Sequence, residues 1–136
     1  MENPSIFELI HLMDKMNNRL IVEWNQMFNE NIGITHILVL AHLRDHGKSR
    51  PSDIAKALGL APPSITHLTE KLIKRELAVR VSDENDKRVL YLEIRDKGRD
   101  LLKKAQEEGK KLRTQLLERL TEEEQQQLIR IYTKLI

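Results

Sequence analysis

Residues 51–94 read PSDIAKALGLAPPSITHLTEKLIKRELAVRVSDENDKRVLYLEI. The stretch has the pattern of a short helix, a tight turn, a second helix and a two-stranded hairpin with a charged tip. Pro51 suits the first helical position, after Ser49 or Arg50 as the cap, because the N–H that proline lacks would have no intrahelical partner there. Ile54, Ala55 and Leu58 make the inward face. Gly59 is the expected stop, since glycine enters the left-handed conformation without a Cβ clash.

The second helix is expected to start at Pro62 or Pro63. Ile65, Leu68, Leu72 and Ile73 fall on one side of it. Ser64, His67, Lys71 and Lys74 fall within roughly 80° of arc on another side, at about 100° per residue. Hydroxyl, imidazole and ammonium groups with one nearby acid, Glu70, suit phosphates and the base edges of a major groove. An ordinary solvated helix face has a similar composition.

The segments that follow, Val79–Val81 and Val89–Ile94, are β-branched and alternating, as strands should be. Ser82 to Arg88 form a polar loop between them. A hairpin placed directly after the second helix of a helix-turn-helix is a wing, and its tip can lay Lys87 and Arg88 on a nucleic-acid backbone or in a minor groove. Asp86, two residues before Arg88, can hold the guanidinium in one orientation through paired hydrogen bonds. Taken alone, the tip is equally a solvated hairpin loop.

These residues resemble the MarR (multiple-antibiotic-resistance regulator) family of bacterial winged-helix transcription factors. The similarity is carried by Asp53-Ile54-Ala55 with Leu58-Gly59-Leu60, by Ser64-Ile65-Thr66 with Leu68 and Leu72, and by Leu77 with Val79 and Arg80. It continues in Asp86-Lys87-Arg88 with Leu90 and Leu92, then Lys97-Gly98 with Leu101. The wing Asp-x-Arg, its strand and the following Lys-Gly-x-x-Leu are the most specific part. Two positions depart from the family pattern. Glu76 stands where a glycine usually ends the recognition helix, which predicts a differently shaped turn. Ala61 stands where a Ser or Thr often caps the same helix, leaving Pro62 and Pro63 to set its start.

Composition agrees with a single subunit. The chain has 136 residues, 40% hydrophobic and 32% charged, with only 4% aromatic, so its core must be Leu, Ile and Val. The formal net charge of +2 is small, but it is uneven. Lys48 to Arg99 hold 12 Lys or Arg against 8 Asp or Glu, a net +4 on the winged-helix stretch. The absence of cysteine excludes disulfides and thiol-based sensing, including the peroxide sensing of the cysteine-bearing branch of that family, and is compatible with the cytoplasm. No run approaches the roughly 20 apolar residues of a membrane span. MENPSIFELI lacks a signal peptide's basic region and long apolar core.

The flanking segments read as helices. Ser5-Ile6-Phe7-Glu8, after Pro4, has the form of a capping box for a helix from about Ile6 to Phe28. Ile10, Met13, Leu20, Trp24 and Met27 give that helix an apolar stripe, and Trp24 is expected in a core or subunit interface. Asn31-Ile32-Gly33-Ile34 breaks the chain. Thr35 is the expected cap of a central helix through about His46, with Ile37, Leu38, Leu40, Ala41 and Leu43. His42 and His46 copy the histidine spacing of a zinc-protease motif, but Leu43 occupies the position of the needed glutamate and nothing nearby completes a metal site. His11, His36 and His67 have no ligand-like spacing. A long helix from Asp96 to about Arg119 carries Leu101, Leu102, Ala105, Leu112, Leu116 and Leu120, with Gly109 as an interruption. Thr121-Glu122-Glu123-Glu124 is a second capping box, for a last helix with Leu128, Ile131 and Leu135 on one face and Ile129, Tyr132 and Ile136 beside it.

The expected architecture is therefore mainly α with a small β-hairpin wing. Residues 1–136 form one subunit: 1–30 and 96–136 a helical dimerisation region, 31–95 a winged-helix DNA-binding region. The terminal helices are too apolar along one side to stand alone, and a homodimer is the simplest solution, as the resemblance also implies; a monomer with a folded-back bundle is the other. Double-stranded DNA with an inverted-repeat operator is the expected partner. Ser64, Thr66, His67 and Lys71 are the candidates for base or nearby phosphate contacts, and Lys74 and Arg80 for phosphate. Arg88, oriented by Asp86 with Lys87 beside it, is the candidate for the minor groove or backbone. The resemblance further implies repression relieved by a small aromatic or anionic effector. No nucleophile with a base, no phosphate loop and no metal set supports an enzyme, and no cofactor is implied. The competing reading is a winged helix used for protein docking or as an architectural DNA-binding module.

Overall fold

The computed structural model of the chain describes residues 4–28 and 30–136, Pro4 by its backbone alone. Residues 1–3 and 29 of the expected N-terminal helical region lie outside the described residues. The element order is α1 (Pro4–Met27), α2 (Ile34–His46), α3 (Pro51–Leu58), α4 (Pro62–Lys74), β1 (Ala78–Ser82), β2 (Leu90–Ile94), α5 (Asp96–Leu117) and α6 (Glu122–Leu135). This is the mainly α winged helix-turn-helix with a two-stranded wing. The chain forms two compact units: a head of residues 28–106 and an arm unit of residues 1–27 and 107–136. The division falls inside α5, not at its start.

The head is built on one apolar core. Val39, Leu40 and Leu43 from α2 meet Ile54 and Ala55 from α3, Ile65 and Leu72 from α4, Leu77 and Ala78, Leu92 and Ile94 from β2, and Leu102 from α5. Helix α3 begins at Pro51 after Arg50 in extended conformation and ends at Gly59, whose φ of 67° is left-handed. Helix α4 begins at Pro62 behind Ala61, which offers no side-chain cap. Two prolines there pre-set the backbone and remove two of the N–H groups a cap would have to satisfy.

The strands pair antiparallel from Ala78↔Ile94 to Ser82↔Leu90. Leu92 and Ile94 face the core and Tyr91 and Glu93 alternate away from them. A two-stranded hairpin is marginal alone. Here its root is held by a third chain segment: Ser49 N–H donates to the Leu92 carbonyl at 3.0 Å and Leu92 N–H donates back to Ser49 at 2.8 Å. Gly98 at the start of α5 packs against the turn before β1, where a Cβ would stand 2.2 Å from the Leu77 carbonyl oxygen. Only glycine permits this approach.

Several local expectations are corrected. Helix α1 already contains Pro4, so Ser5 lies inside the helix and not at its cap. Helix α2 is capped by Gly33 and not Thr35, and the His36 imidazole Nδ1 accepts the Gly33 N–H at 3.3 Å. Helix α2 is central as expected, with Val39, Leu40 and Leu43 buried, while Leu38 on its other side is 48% exposed. Val89 lies in the loop and not in a strand, its N–H donating to Asp86 and its carbonyl accepting from Asp83. Glu76 adopts φ 62°, the left-handed conformation a glycine would supply. The turn after α4 therefore keeps the ordinary shape, with Leu77 N–H donating to the Leu72 carbonyl at 2.9 Å, at a strain of order 1 kcal/mol for a non-glycine residue.

In the arm unit Trp24 and Leu112 are buried, and Gly109 lies against the Trp24 ring. The capping box at α6 is complete: Thr121 Oγ1 accepts from Glu124 N–H at 3.1 Å and Glu124 Oε1 accepts from Thr121 N–H at 2.9 Å. Among the described residues, no helix is long and apolar enough to cross a membrane.

Candidate nucleic-acid interface

The candidate residues fall into three groups. The first lies along α4, where His67, Lys71 and Lys74 line a cleft of about 730 Å³ together with Arg75, His36, Asn31, Leu68 and Glu70. Three formal cations, two imidazoles and one carboxylate give it a positive potential. His36 is held below the ordinary histidine value, first by burial and then by Lys71 and Arg75, so its imidazole stays neutral and remains able to accept the Gly33 N–H. Arg75 is fixed at the end of α4 by donating to the Glu30 carbonyl, while Lys104 from α5 holds the Glu30 carboxylate. That ammonium keeps the Glu30 carboxyl below the usual carboxylate range, and Lys104 also lies over the Phe28 ring. Ser64, on the same side of α4 one turn earlier, is exposed.

The second group lies between α4 and the hairpin. Thr66 and Arg80 line a small cavity of about 180 Å³ with Pro51, Thr69, Leu90, Tyr91 and Leu92. Thr66 is thus separated from the His67–Lys71–Lys74 stripe, as its position along the helix requires. Its hydroxyl donates to the Pro62 carbonyl at 3.2 Å, which leaves its oxygen to act as an acceptor. Arg80 is exposed on β1, paired in register with Leu92.

The wing tip is the third group. Asp86 Oδ1 accepts from Arg88 N–H at 3.0 Å and from Arg88 Nε at 3.1 Å, and Oδ2 accepts from the guanidinium Nη2 at 3.2 Å. These donors hold the Asp86 carboxyl below its usual range. The Arg88 side chain is 91% exposed, so its guanidinium is oriented yet open to a ligand. Lys87 beside it is exposed.

Sequence reasoning passed over four residues that shape these groups. Arg75 shares the angular sector of Ser64 and Lys71, so helical periodicity alone could have found it. Asp83 followed by Asn85 and Asp86 is a side-chain-to-backbone turn signal. His36 and Tyr91 arrive from α2 and β2, and only the tertiary fold brings them in. His42 and His46 stack at 4.3 Å, but among the described residues no group of three His, Cys, Asp or Glu side chains is placed to hold a metal ion.

Comparison with known proteins agrees with this geometry. The MarR family pattern matches residues 32–90. The HTH-type transcriptional repressor MdtR of Bacillus subtilis is 32% identical over 108 residues, covering 78% of this chain and 70% of that protein. The crystal structure of Bacillus subtilis YusO superposes with a TM-score of 0.81 at 26% identity, over 99% of this chain and 97% of that one. The apo form of wild-type E. coli MarR shares the fold, with a TM-score of 0.82 at 22% identity over 100% of this chain and 99% of its own. A winged head with a basic recognition helix, flanked by terminal helices and matched at this level, places the chain in the MarR family of transcriptional regulators.

Proposed function

We propose that the chain acts as a homodimeric repressor of an inverted-repeat operator and is released by a small aromatic or anionic ligand. The observation that carries the reading is the basic cleft on α4, with His67, Lys71 and Lys74, together with an exposed and pre-oriented Arg88 on the wing. Phosphate contacts supply affinity and register, and base-edge contacts supply sequence choice. Ser64, Thr66, His67 and Lys71 are assigned to bases or adjacent phosphates, Lys74 and Arg80 to phosphates, and Arg88 with Lys87 to the minor groove or backbone, Asp86 orienting Arg88.

The dimer is supported by the arm unit. Ile129, Ile131, Tyr132 and Leu135 on α6 and Ile6, Phe7, Leu9 and Met13 on α1 are each more than half exposed. An apolar groove lined by Met16, Leu20, Leu116, Leu128 and Ile129 also lies open within that unit. Two heads related by a two-fold axis would read half-sites about 10 bp apart, centre to centre. Relief by a ligand requires that it bind more tightly to a dimer whose heads mismatch that spacing. Family membership supports this part.

The test is selection of bound duplexes from a random DNA pool, followed by salt titration of the winner. An inverted repeat bound far more tightly than scrambled DNA, with affinity falling as salt rises, is the expected result. No enriched sequence and only weak, uniform binding would transfer the assignment to a docking or architectural module.

A further inference from the structure

Asp83, Glu84 and Asp86 crowd the wing tip with negative charge, an unfavourable composition for a surface meant to meet phosphates. Two of these carboxylates are occupied inside the loop. Asp83 Oδ2 accepts from the backbone N–H groups of Asn85 and Asp86, each at 3.0 Å, and its Oδ1 accepts from the Tyr91 hydroxyl at 3.3 Å. The backbone closes around it, with Asp83 N–H donating to the Val89 carbonyl at 2.9 Å. Asp86, carried on this turn, then takes its three donors from Arg88. Tyr91 stands opposite Val81 on β2 and is half-buried. Lys48 Nζ lies 5.0 Å from the centre of its ring, placed there because the next residue, Ser49, is bonded to Leu92.

We propose that Asp83 and Tyr91 are positioning residues for Arg88: together they fix the turn that presents Asp86, and Asp86 in turn aims the guanidinium. The inference rests on the reading of Arg88 as a DNA contact. An exposed ion pair on a mobile loop orients little, because both side chains keep their freedom. Anchoring the carboxylate's own backbone removes that freedom before DNA arrives, so less ordering remains to be done on binding. Tyr91 links this tip to the strand, and its hydroxyl is the group that a phenylalanine would not replace.

Two measurements test the proposal. In the free, full-length protein labelled with 15N, the Arg88 Nε–H and the Asn85 and Asp86 amides should exchange about three- to tenfold faster in Tyr91→Phe than in wild type. On the duplex recovered by selection, at fixed salt, Tyr91→Phe should weaken binding by about three- to tenfold, with stability lowered by no more than the one lost hydrogen bond. Arg88→Ala should lose at least as much, and the double variant no more than Arg88→Ala alone. Asp83→Ala should reproduce the loss. Asp83→Asn should recover most of it, since its amide keeps a carbonyl acceptor for the turn and an NH2 that can donate to the Tyr91 oxygen. Unchanged exchange in Tyr91→Phe, or a Tyr91→Phe loss that adds in full to that of Arg88→Ala, would overturn the proposal. If Arg88→Ala binds DNA like wild type, the DNA role of the wing fails instead, and the exchange rates still decide whether Asp83 and Tyr91 hold the tip.

Discussion

In the head, Val39, Leu40, Ile54, Leu72 and Leu92 have no exposed surface, and Leu43, Leu77 and Leu102 retain 1%. In the described part of the arm unit the buried apolar residues are Trp24, at 7%, and Leu112, at 8%, whereas Phe7, Leu9, Met13, Ile129 and Ile131 are more than half exposed. The head closes an apolar core within one chain, with Leu38, Val79 and Leu90 left partly exposed outside it. The arms carry apolar area that one chain leaves in water. At about 1.5–3 kcal/mol for each fully buried Leu, Ile or Phe, these half-exposed side chains would each gain about half as much, so covering a handful in each of two copies is of the same order as the roughly 4–15 kcal/mol that association costs. Stability in this molecule is therefore expected to come in two kinds, one independent of protein concentration and one dependent on it.

The strongest test of that contrast places charge on the arm. If the proposed dimer covers this face of α6, Ile131→Glu with Leu135→Glu should weaken self-association by more than about 100-fold, because each carboxylate would have to be desolvated there. The head should unfold as before, since both side chains are exposed in the single chain. Sedimentation equilibrium reads the first effect and denaturant unfolding the second. A wild-type chain that remains monomeric at tens of micromolar would end the comparison.

The two glycines of α5 sharpen it, one in each unit. In the head, Gly98→Ala would press a methyl against the Leu77 carbonyl at 2.2 Å and the Ile94 side chain at 3.0 Å. Urea unfolding should show a loss of about 2–3 kcal/mol. In the arm, Gly109→Ala would meet the Trp24 ring no closer than 3.6 Å, an ordinary contact. That substitution should stabilise by about 0.5–1 kcal/mol through helix propensity and reduced freedom of the unfolded chain. The same replacement in one helix thus changes sign between the tightly packed unit and the open one. Destabilisation at both sites would show the arm to be as tightly packed as the head.

The smallest effect is a change of slope with pH. His36 is held below its ordinary value of 6.5, first by burial and then by Lys71 and Arg75. His67 and Glu70 line the same cleft. The neutral imidazole is the form the fold prefers, so its contribution is complete above pH 6.5 and is lost as pH falls through the lowered folded value. His36→Asn keeps an acceptor for the Gly33 N–H and cannot titrate. Its unfolding midpoint should fall less steeply than wild type as pH drops below 6.5. His42 is also held low, by burial and by His46, and leaves a residual slope in both proteins. Identical slopes would remove His36 as a contributor.

Where a residue's role was fixed by its immediate neighbours, the sequence was readable. Pro51 and Gly59 bracket α3 because φ restriction and φ freedom are intrinsic to those residues. The Thr121–Glu124 box closes as written, and Asp86 reaches Arg88 because only Lys87 separates them. Two of the misses share an origin, a partner or packing contact that the linear pattern does not show. Thr35 looked like the cap of α2, but His36 supplies an acceptor that lets Gly33 serve. Glu76 predicted an altered turn, but the packing of Leu72 and Leu77 on the core enforces the left-handed conformation on a residue that disfavours it. The basic cleft was half legible: Lys71 and Lys74 follow from periodicity, whereas His36 enters from α2.

The reciprocal bond between Ser49 and Leu92 has a consequence for the order of folding. It joins positions 49 and 92 across the whole helix-turn-helix, so the loop it closes must already be compact for the bond to form at little entropic cost. The hairpin is too small to persist without that third segment. The wing is therefore expected to consolidate after α2, α3 and α4 have collapsed together, and during synthesis only once Leu92 has left the ribosome. A lesion in the Gly47–Arg50 turn would then produce a chain whose helices form on time and whose wing arrives late.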